Sequence, residues 1–257
     1  MIVSLCSVRG SPGVTSWSLL LAAAWPSEYE VERVVLEADC DGGVLGARYG
    51  FGVDPGAVSL IAALRRAGSR AVDVSEHGRR VNDGLWVIPG PETGERASRV
   101  WRGSAAAAVA DGVVNDDRVW FVDAGRADEA SPIEPLVNLS SMAVLLTRSA
   151  TEDLVQVPAR VEFLRQHTRS VGVLVVGKPQ HTVEDLVGFF GTDLVWTVAA
   201  DENLVRIAGE AIAGGRGRRS WVWRSAISIA ADIAATIAQQ PSGSDHDVVE
   251  RSAGGIT

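Results

Sequence analysis

Residues 8–16, VRGSPGVTS, place two glycines, Gly10 and Gly13, and two hydroxyls, Thr15 and Ser16, between one apolar run and the next. Glycines let a backbone approach an anion closely, and hydroxyls at the start of a helix can reach a phosphate or a hard cation. Farther along, Asp39 and Asp41 follow the apolar run 34–38, and Asp123 follows the run 119–122. A glycine-bearing loop with carboxylates at neighbouring strand ends is the composition of a phosphate cradle with a magnesium site. One residue breaks the pattern. Where such a loop carries a lysine the chain has Val14, and its single lysine is Lys178.

These residues need a scaffold that brings them to one place. Apolar, β-branched runs at 2–8, 34–38, 85–88, 119–122, 142–147, 171–176 and 194–198 read as strands. Helical patterns fall between them at 17–25, 57–67, 151–167, 183–190 and 225–238, with an alanine-rich stretch after "PGPETG". Parallel neighbours need long crossovers, which are usually helices, so this alternation predicts a three-layer α/β fold: a mostly parallel sheet flanked by helices. Residues 1–240 read as one domain, and 241–257 as a polar, mobile tail. In such a sheet, ligands collect outside the carboxyl ends of the strands, where both the loop and the acids fall.

Composition limits the function. A net charge of -8 argues against a globally basic, sequence-indifferent nucleic-acid binder. Cys6 and Cys40 lie in or beside apolar runs and read as reduced core thiols. The opening MIVSLCSV is too short for an export signal, and no apolar stretch reaches the roughly 20 residues that span a bilayer, so a cytoplasmic protein is expected.

The ordered motifs resemble the MinD/ParA family of P-loop ATPases, whose deviant phosphate loop reads KGGxGK[ST][ST]. Arg9, Gly10, Ser11, Pro12, Gly13, Val14, Thr15 and Ser16 stand across that motif. "VVLEADCDGG" is similar to the family's strand ending in D-x-D, "GLWVIPGP" to a later strand, "VWFVDAG" to its Walker B strand, and "WTVAADENLVRIAGEAI" to its adenine side. The resemblance implies ATP or ADP with magnesium, cradled by Arg9, Gly10, Ser11, Gly13, Thr15 and Ser16. It implies Thr15 as a magnesium ligand with Asp39 or Asp123 acting through water, and Asp41 near the attacking water.

The departures carry their own expectations. Arg9 stands at the family's signature lysine, which reaches a partner's phosphates, and keeps its charge. Ser11 restricts the backbone, and Pro12 removes an N–H donor. Valine at 14 can offer neither charge nor hydrogen bond, which predicts affinity lower by about one to two orders of magnitude and hydrolysis that is weak or absent.

Three functions follow as expectations. The first is a dimerising spatial regulator or recruitment scaffold with a degenerate nucleotide site, serving partitioning, division or a secretion-type assembly with an unidentified protein partner. The second is a slow ATPase in which Arg9 or a partner's group replaces the lysine. The third is a DNA-associated partition factor using Arg216, Arg218, Arg219 and Arg224 in "RGRRSWVWR". DNA is the less favoured partner, because the same arginines read equally as a solvated loop before two anchoring tryptophans. The chain ends in an acidic polar stretch, which disfavours a direct membrane anchor. His77, His167, His181 and His246 lack metal-ligand spacing.

Overall fold

Ile2–Ser7 forms the first strand, β1, and all six of its residues are buried. A strand covered on both faces shows a continuous apolar run rather than alternation, which is why its boundaries are plain in the sequence. The computed structural model describes residues 1–10, 12–52, 54–67, 72–114, 116–126 and 131–240. Ser11 and the stretch 241–257 lie outside the described residues.

After β1 come α1 (Val14–Ala23), β2 (Arg33–Glu37), α2 (Leu45–Tyr49), α3 (Ala57–Ala67), β3 (Arg79–Asn82) and β4 (Leu85–Ile88). Then follow α4 (Gly94–Trp101), α5 (Ala105–Val113), β5 (Val119–Asp123), α6 (Glu134–Asn138) and β6 (Met142–Arg148). The last part contains α7 (Thr151–Leu154), α8 (Val157–Arg165), β7 (Val171–Val176), α9 (Val183–Phe190), β8 (Val195–Val198), α10 (Leu204–Ile212) and α11 (Trp221–Ala238). Eight strands form one sheet in the order β3-β4-β2-β5-β1-β6-β7-β8. Every pairing is parallel except β3 with β4.

Successive side chains of a strand point to opposite faces, and the core divides accordingly. Ile2, Val34, Leu36, Trp120 and Val122 pack with residues of α3, α5, α6, α8 and α9. Val3, Leu5, Val35, Val119 and Phe121 pack on the other face with residues of α1, α10 and α11. This is the three-layer α/β architecture expected from the alternation. Trp17, Trp101 and Trp120 are fully buried in these layers.

Three local expectations change, and one strand, β3, is added. The first helix begins at Val14 rather than at 17, because Gly13 takes a left-handed turn and admits the helix at once. The helix expected over 151–167 is two, α7 and α8, with Pro158 in the first turn of α8, where its missing N–H costs least. β3 is an edge strand, RRVN, with little buried surface, so it gives no apolar signal. The last helix starts at Trp221, since the Ser220 hydroxyl accepts the Trp223 N–H at 3.1 Å and caps it.

Candidate functional site

β1 lies between β5 and β6, yet the chain runs from β1 to β2 on one side and later crosses from β5 to β6 on the other. Such a reversal opens a crevice beyond the carboxyl ends of the strands. Register brings the ends level: Leu5 pairs with Asp123, and Asp123 with Glu37. The Ser7 N–H donates to the Gly125 carbonyl at 2.9 Å, and the Ala38 N–H to the Asp123 carbonyl at 2.8 Å. The loop after β1 and the acids of β2 and β5 therefore stand side by side.

Gly13 is the N-cap of α1, at φ 95°, and offers no side-chain cap. A Cβ there would meet Leu204 Cδ2 at 2.7 Å, which a leucine end can yield, so it is the left-handed backbone that demands glycine. The first turn of a helix has N–H groups without intrahelical partners, a natural anion site when the cap supplies no oxygen. Gly10, Gly13, Val14, Thr15, Asp39 and Asp41 line one cavity of about 300 Å³, with Ser16 among its further lining residues. Arg9 is exposed and does not line it. Val14 is 5 % exposed, and its side chain belongs to the cluster of Leu5, Trp17, Val198 and Ile207. Valine therefore acts here as a packing residue between α1 and the core.

Asp123 is fully buried. Its Oδ1 accepts the Gly125 N–H at 3.2 Å. Its Oδ2 has no hydrogen bond of good geometry among the described residues, although the Thr15 hydroxyl is near enough to favour the charged form. Burial pushes this carboxyl up to about 7, with Glu37 and Asp39 adding to the rise and the Thr15 hydroxyl and Gly125 N–H opposing it. Asp39 is also raised by burial, although its Oδ1 accepts the Asp41 N–H at 2.8 Å. Gly125 holds φ 55°, and a Cβ there would run into the Asp39 carboxylate, so glycine lets the two strand ends close up. Asp41 is paired through Oδ2 with Arg126 at 2.9 Å.

Four residues of this region carry no sequence signal. Arg48, on α2, lines the cavity and donates from Nη1 to the Ser16 hydroxyl at 3.2 Å. Arg126 lines it from beyond β5. Arg148, at the end of β6, donates to the Gly10 carbonyl at 3.0 Å and steadies the loop. Glu37, 1 % exposed, accepts the N–H groups of Val44 at 2.6 Å, Leu45 at 3.0 Å and Gly90 at 2.9 Å. Burial raises the Glu37 carboxyl, against these three bonds. Arginine supplies all but one of the 24 basic residues, so no single one stands out by type.

The other sequence candidates fall elsewhere. Arg218 donates from Nε to the Ala211 carbonyl at 2.9 Å, and its guanidinium lies 5.4 Å from the Trp223 ring centre. His77 is buried against Ser59 at 3.0 Å. Among the described residues no group of three or more His, Cys, Asp or Glu is arranged to hold a metal by itself. Cys6 and Cys40 are free thiols, and burial pushes Cys6 up to about 12. No helix among the described residues is long and apolar enough to cross a membrane.

No protein-family model matches the sequence, and no curated protein matches it. Solved structures do match in fold. A ParA family ATPase from Chlorobium tepidum superposes with a TM-score of 0.71 at 13 % identity, over 90 % of this chain and 97 % of that one. The septum site-determining protein MinD of Pyrococcus horikoshii, in complex with Mg-ADP, gives 0.66 at 13 % identity, over 91 % and 96 %. The MinC:MinD cell division complex of Aquifex aeolicus gives 0.62 at 14 % identity, over 91 % and 95 %. The fold is that of the ParA/MinD ATPases, with the loop after β1 and the acids of β2 and β5 gathered in one crevice.

Proposed function

We propose that this chain is a ParA/MinD-like dimerising switch or recruitment scaffold whose nucleotide site binds weakly and hydrolyses slowly or not at all. The observation that carries this is the placement of Val14: its largely buried side chain belongs to the core and lines the cavity wall, where it brings no charge. The cradle keeps its shape while losing the charge that a lysine would hold against developing negative charge on a phosphate.

Magnesium nucleotide fits what remains. The uncapped first turn of α1 can receive phosphate oxygens. The buried, unpartnered Asp123 Oδ2 beside Thr15 and Asp39 is the surrounding that a hydrated cation would complete. Thr15 would be the direct ligand, with Asp39 and Asp123 holding water on the ion. Magnesium, when bound, supplies charge neutralisation between phosphate oxygens. Asp41, at the cavity wall, would orient the attacking water.

Likeness to a MinD bound to Mg-ADP and to a MinD in complex with MinC supports a nucleotide ligand and a protein partner as the two things to seek. Arg9, exposed and outside the lining of its own cavity, would serve the phosphates of a second copy. The engagement of Arg218 with Ala211 and Trp223 weighs against a DNA-binding surface built on the 216–224 cluster.

Light scattering after size exclusion, with and without magnesium ATP, tests the proposal beside a phosphate-release assay. The expected outcome is dimer formation with little or no phosphate release. A protein that stays monomeric with nucleotide, or that turns over many ATP per minute, would contradict it.

A further inference from the structure

The cavity keeps a cation on an element that follows the loop by some thirty residues. We propose that Arg48, projecting from α2, supplies the phosphate-binding positive charge that Val14 does not, so that the bound group is a nucleoside di- or triphosphate read partly from α2. The inference rests on the nucleotide reading given above.

The basic side chains around the loop differ in their engagements. Arg126 is paired with Asp41 at 2.9 Å. Arg148 is bonded to the Gly10 carbonyl at 3.0 Å and does not line the cavity. Arg9 is exposed and does not line it. Arg48 lines the cavity, makes no ion pair within 4.0 Å among the described residues, and holds one hydrogen bond, to the neutral Ser16 hydroxyl at 3.2 Å, while its charge acts at longer range on the Glu37 carboxyl. Ser16 is the third residue of α1 and is 1 % exposed, so the bond brings the guanidinium to the first turn of the helix. A guanidinium has five N–H donors in a planar fork, and one bond leaves an edge free for a phosphate.

α2, which carries the exposed Arg48, is anchored at both ends. Its first turn is fixed by Glu37, which takes the Val44 and Leu45 N–H groups. Its end is closed by Gly50 at φ 64°, and Tyr49 stacks on Phe51 with ring centres 5.4 Å apart. Behind the cavity wall, Asp123 Oδ2 is buried without a hydrogen bond of good geometry among the described residues, near the cavity-lining Thr15, a second and independent sign that a charged group belongs there. Moving the cation from the loop to α2 also explains why valine is tolerated at 14: the position is free to pack against Trp17 and Leu5.

Calorimetric titration of the full chain with magnesium ADP and with magnesium pyrophosphate tests this, on wild type, Arg48→Ala, Arg48→Lys and, as a control remote from the cavity, Arg99→Ala. Loss of one charge-assisted contact should weaken both ligands about ten- to a hundredfold in Arg48→Ala, with a smaller loss in Arg48→Lys. Arg99→Ala should match wild type. Arg48→Gln, which removes the charge and keeps a donor for Ser16, reads the same loss should the alanine variant melt early. Wild-type binding with undiminished affinity in Arg48→Ala and Arg48→Gln overturns the role of Arg48 and leaves the nucleotide reading intact. Absence of binding by wild type at millimolar ligand overturns both.

Discussion

The Glu37 carboxylate accepts the Leu45 N–H at 3.0 Å and so fastens the end of β2 to the first turn of α2. The Val44 and Gly90 N–H groups converge on the same carboxylate. Glu37→Ala would strand buried donors, a loss of about 3 kcal/mol or more, read as a lower urea midpoint. A shift under about 0.5 kcal/mol would show that α2 does not depend on it.

Asp123 makes the protein without ligand pH-sensitive. Its carboxyl, raised to about 7 by burial, binds a proton more tightly folded than unfolded. The stabilisation is therefore fully present below the unfolded value near pH 4 and is lost as pH rises through about 7. Asp123→Asn should remove this loss and be more stable than wild type at pH 8, on the order of 3 kcal/mol, with a much smaller gap at pH 5. Urea melts at the two pH values measure it. Magnesium with nucleotide should stabilise wild type most at pH 8, where the carboxylate is charged.

Val14→Ala should destabilise the fold by about 1 to 2 kcal/mol, because it removes two buried methyl groups from the α1 side of the core. An unchanged denaturation midpoint would show that Val14 serves the cavity wall alone.

Gly13→Ala should cost about 1 to 3 kcal/mol, from the left-handed backbone and from the contact with Leu204. It should also weaken magnesium ADP, since the start of α1 must shift to relieve the left-handed backbone. A thermal melt with and without ligand separates the two effects.

Asp41→Asn breaks an exposed ion pair with Arg126, so stability should change by less than about 1 kcal/mol. If Asp41 orients water, any residual phosphate release falls in this variant while magnesium ADP binding persists.

Strand positions were legible because burial on both faces makes β1, β5 and β7 continuous apolar runs. β3 was not, because an edge strand of polar residues has no such pattern. Of the cavity, the glycines and hydroxyls of the loop and the aspartates at the strand ends could be found by type and spacing. Arg48 and Glu37 could not. An arginine among many, and a glutamate inside a strand, take their meaning from which backbone amides and hydroxyls lie beside them.

By itself the sequence determined the layered α/β fold, since periodicity of burial and the length of crossovers are written along the chain. It also determined that a lysine is missing at position 14. Only the tertiary structure decided where the valine side chain goes, which arginines stand at the cavity, and which carboxyl oxygen is buried without a hydrogen bond of good geometry among the described residues. Those facts depend on contacts between residues far apart in the chain, and the burial and Coulomb energies that fix them arise only when sheet and helices close on one another.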